Sequence, residues 1–382
     1  MRFVSPFLKR AVYPCLAGGG YFRSLKRSGL AVITYHGVVP RSYLRIDPGL
    51  DGTLVDTEMF RRQLRLLKSN YNVISPDEMF SWCRRECELP PRAVLLTCDD
   101  GLRNNLTEML PVLRQEKLRC LFFITGASAG DVSRMLWYEE LLLLLLQAPA
   151  GAFRVSTDNF EFAAELGSGE RRRRLWWNLV ENLSRLDVHS RQLFLDRVHA
   201  CVEPVTSPEF REKIYPQALN WLGLMTRTEV RQLVAAGMTI GAHTCSHAVM
   251  SRQPPELARQ EIEESRERLE SMLNRRIWAF AYPFGQRDTV SPEVISMARE
   301  AGFAAAFMNV GGGLGAELPR FSIPRVHVNA DMGLAEFEAH VSGFYGGLQR
   351  TFGRAAANPL TVDFNSECTD PLGEPVSKQK MA

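Results

Sequence analysis

Short runs dominated by apolar residues alternate along this chain with longer stretches in which apolar residues return every three or four positions. The runs fall at residues 30–35, 71–74, 93–97, 120–125, 238–242, 277–282, 304–308 and 325–328. Being short and apolar on successive positions, they predict strands covered on both faces. Between them, residues 56–70 carry the helical period through Met59, Phe60, Leu64, Leu66 and Leu67. The same period predicts helices at 106–117 (despite Pro111), 226–236, 255–273 and 292–301. Strand and helix in alternation with short links imply a parallel sheet, here a closed or nearly closed barrel.

The rhythm breaks between residues 131 and 223. That stretch is rich in Leu, Arg and Trp, reads as helical at 137–147, 169–184 and 190–201, and offers no recognisable strand. Leu141 to Leu146 are all leucine, but Glu139 and Glu140 precede them and Gln147 and Pro149 follow, which predicts a buried helix and not a membrane span. The chain therefore divides into a basic lead-in at 1–28, an α/β barrel at 29–350 with a helical insertion at about 131–223, and a polar tail at 351–382. The tail has no periodicity and is expected to be mobile.

Composition narrows the function classes. The 382 residues are 45% hydrophobic and 23% charged, an ordinary globular balance with ample material for a core. Basic and acidic side chains number 46 and 43, for a net charge of +3, and no nucleic-acid signature accompanies them. Nucleic acid is therefore not an expected partner. Local basic clusters lie at Arg171 to Arg174 and at Lys9, Arg10, Arg23, Lys26 and Arg27. Such clusters are ordinarily solvated faces; the functional alternative is peripheral contact with an anionic membrane surface or glycan. The 8 cysteines lack disulfide-framework spacing and read as reduced, mostly buried residues. Cys83 and Cys87 stand four apart with nothing nearby to complete a zinc set. Lys9, Arg10 and Pro14 interrupt the apolar residues between 3 and 16, leaving no signal-peptide core, and no window holds about 18 uncharged apolar residues. Cytoplasmic residence is the expectation, extended to a peripheral place at the inner membrane. Nothing in the sequence speaks to oligomeric state.

Two of the apolar runs end in candidate chemistry. One leads into Thr97-Cys98-Asp99-Asp100-Gly101, the other into His243-Thr244-Cys245-Ser246-His247. Adjacent carboxylates on extended chain point to opposite sides, so one can bind a metal while the other faces water. Two imidazoles at i and i+4 can share one ion if their segment turns helically. Asp100, His243 and His247 would then supply three ligands and leave a position open, the count of a catalytic metal site. A turn with a helix cap, or a chance histidine pair, is the bland reading of either motif alone. Their joint occurrence at strand ends, with a third run leading into Tyr282-Pro283-Phe284-Gly285, argues against coincidence.

With these three motifs in this order, the chain resembles the polysaccharide deacetylase family, the NodB-homology group of carbohydrate esterase family 4. The resemblance covers about residues 30–128 and 224–330 and leaves the insertion unexplained. It implies a distorted (β/α) barrel of about seven strands and a metal-dependent hydrolase that removes an N-acetyl group from an amino sugar. It further implies Asp100, His243 and His247 as ligands of a divalent metal, zinc above others, and Asp99 as the base that takes the proton of water. The Phe284 backbone N–H would help to bind the oxyanion, in a turn shaped by Pro283 and Gly285, and Tyr282 is counted with it among the residues near substrate. His327 corresponds to the histidine that protonates the leaving amine, and a packed or surface histidine is the alternative. His36 corresponds to a residue lining the substrate cleft, with a structural role as the alternative.

Three positions depart from the family pattern. Cys98 stands where an aromatic residue is usual, and no clear fourth motif follows, Asp288 being the nearest candidate. The arginine that orients the base is replaced by Ala281. Arg325 or Arg103 is the candidate substitute, Arg325 being also counted with the residues near substrate. The expected substrate is an N-acetylated glycan or a lipid-linked saccharide precursor. Two alternatives remain open: a deformylase or other amidase using the same site, and a glycan-binding protein with a vestigial site.

Overall fold

The computed structural model describes residues 8–25, 29–126, 133–311 and 319–351. The strands in chain order are β1 (Ala31–Tyr35), β2 (Gly37–Val39), β3 (Leu54–Asp56), β4 (Asn72–Ile74), β5 (Ala93–Cys98), β6 (Leu121–Ile124), β7 (Gly151–Ser156), β8 (Glu161–Leu166), β9 (Thr239–Ala242), β10 (Ala279–Ala281), β11 (Ala305–Phe307) and β12 (Val326–His327). Each expected run coincides with one of them, β5 reaching one residue further than expected. The main sheet runs β11-β10-β9-β6-β5-β1-β12, with β4 beside β5, and its pairings are all parallel.

The segment 323–328 bridges the two ends of that order. Ile323 pairs with Phe307 on β11, and Val326 with Ile33 on β1. The Met308 N–H donates to the Ile323 carbonyl at 2.8 Å, and the Val328 N–H to that of Thr34 at 3.0 Å. The sheet is thus rolled into a distorted (β/α) barrel with a short, irregular closing strand. Every residue of β1, β5 and β6 is buried, as their continuous apolar character requires. The helix Thr57–Asn70 illustrates the outer layer. The Asp56 carboxylate caps it by accepting from the Glu58 and Met59 N–H groups, and Phe60, Leu64 and Leu67 face inward.

The insertion builds a second core. The helices Trp137–Gln147, Gly169–Leu183 and Val188–Val202 enclose Leu141 to Leu145, Leu179, Phe194 and Val198. The leucine run is a buried helix, and no helix among the described residues is long and apolar enough to cross a membrane. The expectation of no strand here is corrected by the antiparallel hairpin β7–β8. On β7, Phe153 and Val155 are buried while Arg154 and Ser156 are exposed. This is a half-buried strand whose alternation spans too few residues to stand out among the flanking helical patterns.

Two further readings change. Arg172 is buried and donates to the carbonyls of Leu145, Ala148 and Gly167. Arg173 pairs with Asp47 at 2.7 Å, so Arg172 and Arg173 are internal bracing, while Arg171 and Arg174, the latter paired with exposed Glu170 at 2.7 Å, remain on the solvated face. In the lead-in, Lys9 and Arg23 reach Glu336 and Glu338 at 2.8 and 3.0 Å, and Tyr13 and Phe22 bury against Ala339. The seven described cysteines are free, yet only Cys83, Cys98 and Cys120 are buried; Cys15, Cys87 and Cys201 are exposed. Residues 352–382, expected to be mobile, lie outside the described residues.

Candidate active site

The Asp-Asp pair sits where β5 ends. The Asp99 N–H still donates to the Tyr35 carbonyl on β1, at 2.9 Å. The chain then turns through two left-handed residues, Asp100 at φ 73° and Gly101 at φ 81°. A Cβ at Gly101 would also stand 2.8 Å from the Ile124 side chain, so glycine is doubly required. This turn sends the two carboxylates to different partners.

The Asp99 carboxylate meets Arg325 in a two-bond fork, with both N–O distances 2.6 Å. The guanidinium is fully enclosed: its Nε donates to the Met308 carbonyl at 3.2 Å, and its centre lies 5.4 Å from the Phe123 ring. Burial is the largest influence and would raise the Asp99 pKa, but the charge and hydrogen bonds of Arg325, with His243 and His36 adding to them, together hold the group below the ordinary carboxylate value. Asp99 is thereby an anion at neutral pH. The fork uses one lone pair on each oxygen and leaves others to accept a proton. Of the two candidate substitutes for the missing arginine, Arg325 is the one beside Asp99. Arg103 is half-exposed and pairs with Glu229 at 2.8 Å. Being buried, Arg325 cannot itself touch substrate.

The Asp100 carboxylate faces the histidines. Its Oδ1 lies 3.4 Å from His243 Nε2 and 3.3 Å from His247 Nε2, and has no hydrogen-bond partner among the described residues. His243 Nδ1 is 2.7 Å from the Ala281 carbonyl, which makes Nδ1 a donor and leaves Nε2 facing the carboxylate oxygen. Either a shared proton or a cation has to lie between them. Ligands about 2.0–2.1 Å from one tetrahedral ion stand roughly 3.3–3.4 Å apart, which both carboxylate–imidazole spacings match, and the three ligand atoms lie within 4.8 Å of one another, as a shared divalent cation requires. Burial would raise the Asp100 pKa, yet the two imidazoles beside it keep it well below the usual range; desolvation pushes His247 down.

The expected helical turn between the histidines is absent. Instead Thr244 and His247 both adopt positive φ, at 61° and 53°. This costly backbone is clamped from the helix Pro255–Leu273, where the Glu261 carboxylate accepts from the N–H groups of Cys245 and Ser246 at 2.8 and 2.9 Å and from the Ser246 hydroxyl at 2.7 Å. Arg191, from the insertion, donates to the same hydroxyl oxygen at 3.0 Å and stacks over Trp137 at 4.7 Å. Neither Glu261 nor Arg191 carries a sequence signal, since both sit on helices far from the motif.

The remaining expected residues divide. His36 and His327 come together, ring centres 4.8 Å apart, and both line the cleft. His327 Nε2 is buried and has no hydrogen-bond partner among the described residues, and desolvation, with His36 beside it, pushes its pKa down to about 3. Phe284, at φ 60°, lies 5.1 Å from the His247 ring. Tyr282 lines the cleft, but the expectation that it serves substrate is corrected for its side chain: the ring is wholly buried and its hydroxyl donates to the Phe321 carbonyl at 3.0 Å, away from the site. Asp288 is exposed at the rim of the cleft.

The cleft measures about 520 Å³. One wall is barrel, with Asp99, Asp100, His243, His247 and His327; the other is insertion, with Tyr138, Glu139, Trp176, Trp177 and Glu181. Tyr138 packs against both His247 and Phe284, at 5.2 and 5.6 Å. Burial, with Asp100 beyond, raises Glu139 well above the usual carboxyl range. Sequence reading found none of these insertion residues.

Comparison with known proteins places the site in a family. The polysaccharide deacetylase family model matches residues 87–160 and 205–306, a span that contains the Asp-Asp turn, the histidine loop and the Tyr-Pro-Phe turn. His36, Arg325 and His327 lie outside the matched residues. The Streptococcus pyogenes deacetylase PplD, solved with acetate, is 14% identical, with a TM-score of 0.52 covering 82% of this chain and 99% of that one. IcaB from Ammonifex degensii is 18% identical, with a TM-score of 0.50 covering 83% and 98%. These two likenesses are of fold. None of the curated proteins compared matches in sequence. The family match and the barrel it sits on agree: the chain is an enzyme of the polysaccharide deacetylase family.

Proposed function

We propose that the protein is a metal-dependent hydrolase that removes an N-acetyl group from an amino sugar of a polysaccharide or of its saccharide precursor. The observation that carries this reading is the unpartnered Asp100 Oδ1 facing two imidazole nitrogens at 3.3 and 3.4 Å, next to a second carboxylate held ionised by Arg325. A divalent cation held by Asp100, His243 and His247, zinc above others given the nitrogen and oxygen donors, would acidify water and polarise an acyl oxygen.

The protein's own groups do the rest. Asp99 accepts the proton of the attacking water, whose oxygen bonds to the acyl carbon. The Phe284 turn lies beside the reacting centre and is the candidate to present a backbone N–H to the developing oxyanion. The C–N bond then breaks, and the amine must gain a proton while acetate departs. His327, neutral at pH 7, suits the relay of that proton from Asp99 better than its storage.

The test is acetate release from N-acetylglucosamine oligomers by the zinc-loaded protein, with metal content measured on the same samples and Asp99→Asn run alongside. Release that disappears in the variant while metal persists supports the reading. One tightly held metal with no release from any N-acetyl sugar would overturn the substrate assignment. Failure to retain a divalent metal would overturn the site.

A further inference from the structure

The helix Gly169–Leu183 and the residue after it present one face to the cleft: Trp177, Val180, Glu181 and Ser184, at the i, i+3, i+4 and i+7 spacing. These residues lie between the two stretches matched by the family model, so the family pattern does not supply them. Trp177 is 46% exposed, an unusual exposure for an indole, while its neighbour Trp176 is fixed by a bond from Nε1 to the Tyr138 carbonyl at 2.6 Å and meets it at 5.6 Å edge to face. The platform is therefore rigid on one side and open on the other. Polar groups flank it. Glu181 is an exposed acceptor one turn along, and Arg252 donates to Ser184 Oγ at 2.7 Å at the end of the same face. Deeper in the cleft, one Glu139 oxygen is buried and has no hydrogen-bond partner among the described residues.

An exposed aromatic face with a carboxylate one turn along and a guanidinium at the far end of the same helix face, opening into a hydrolytic cleft, has the chemistry that holds a saccharide. Axial C–H bonds of a pyranose ring lie on the indole, and hydroxyls along the saccharide reach the charged groups that line the same cleft. We propose that the insertion carries an accessory saccharide subsite, in which Trp177 stacks on a sugar unit adjoining the one hydrolysed and Glu181 and Arg252 bind its hydroxyls. This rests on the amino-sugar reading for the reaction but concerns binding of the neighbouring unit. It makes the preferred substrate an oligomer and not a single sugar.

The experiment compares wild type, Trp177→Ala and Trp177→Phe on N-acetylglucosamine oligomers of one, two, four and six units, reading kcat/KM for acetate release. Calorimetric binding of the fully de-N-acetylated hexamer, which cannot turn over, is measured in parallel. Stacking of this kind predicts that the ratio of hexamer to monomer kcat/KM, and the hexamer affinity, fall about tenfold in Trp177→Ala and are largely kept in Trp177→Phe. Thermal unfolding of the variants confirms that they fold. Chain-length preference or hexamer affinity independent of Trp177, or no hexamer binding by wild type, overturns the subsite whatever the turnover. Trp177-dependent hexamer binding without acetate release from any oligomer would instead uphold the subsite and refute the reaction.

Discussion

The barrel and the insertion face each other across one cleft and are built on opposite plans. In the barrel, the site hangs from strand tips whose backbone is fixed by parallel pairing on both sides, as β5 is by β1 and β6. In the insertion, helices with their own core lean in and offer aromatic and carboxyl side chains. Groups that must be placed to fractions of an ångström stand on the sheet, and groups that recognise a surface stand on helices that can differ without disturbing it. Chemistry and recognition are thereby separable. The histidine loop is the exception, since it takes Glu261 from the barrel layer and Arg191 from the insertion.

Variants can break or sharpen that division. The largest effect is expected at the barrel: Asp100→Ala should abolish retention of the divalent metal, measured by elemental analysis after dialysis, and all turnover with it. Next, Asp99→Asn should keep the metal and lose about 10²–10⁴-fold in kcat, since it removes the base alone. Arg325→Met should destabilise the fold by about 3–5 kcal/mol in denaturant unfolding, because it strands a buried carboxylate. Its turnover per bound metal should fall as well; unchanged turnover would mean that Arg325 does not orient the base.

On the insertion side a smaller change is expected. Arg191→Met should weaken metal affinity about tenfold through the histidine loop, read by competition with a chelating dye. A loss as complete as that of Asp100→Ala would show that the insertion is part of the metal site and would break the comparison.

The smallest effect concerns pH. His327 is held neutral down to about 3 in the fold, against 6.5 for the free side chain. The unfolded chain therefore binds the extra proton, and the contribution is intact above pH 6.5 and lost as pH falls toward 3. In metal-free protein, wild-type stability should decline relative to His327→Gln by up to about 1.4 kcal/mol per pH unit between pH 6 and 4. A constant difference between the two would show that His327 is not shielded from water.

Much of the barrel was legible because its strands are apolar on both faces and its helices amphipathic, so burial is written twice along the chain. Asp99, Asp100, His243 and His247 were legible because their short spacings follow such strands. The hairpin β7–β8 was not, since a half-buried strand of six residues shows only two buried apolar positions, Phe153 and Val155, before the exposed end. Nor was the turn of the histidine loop: side-chain spacing i, i+4 fits a helix as well as a doubly left-handed bend, and what chooses the bend is the Glu261 clamp from another element.

By itself the sequence determined the order of elements and the three motifs, with Asp99 beside Asp100 and His243 four residues before His247, because these depend on neighbours along the chain. Only the tertiary structure decided that Arg325 and not Arg103 holds Asp99, that Tyr282 turns its hydroxyl away, and that the insertion forms the far wall of the cleft. These depend on which distant residues burial forces together, and a buried charge takes whatever partner the closed barrel brings within reach.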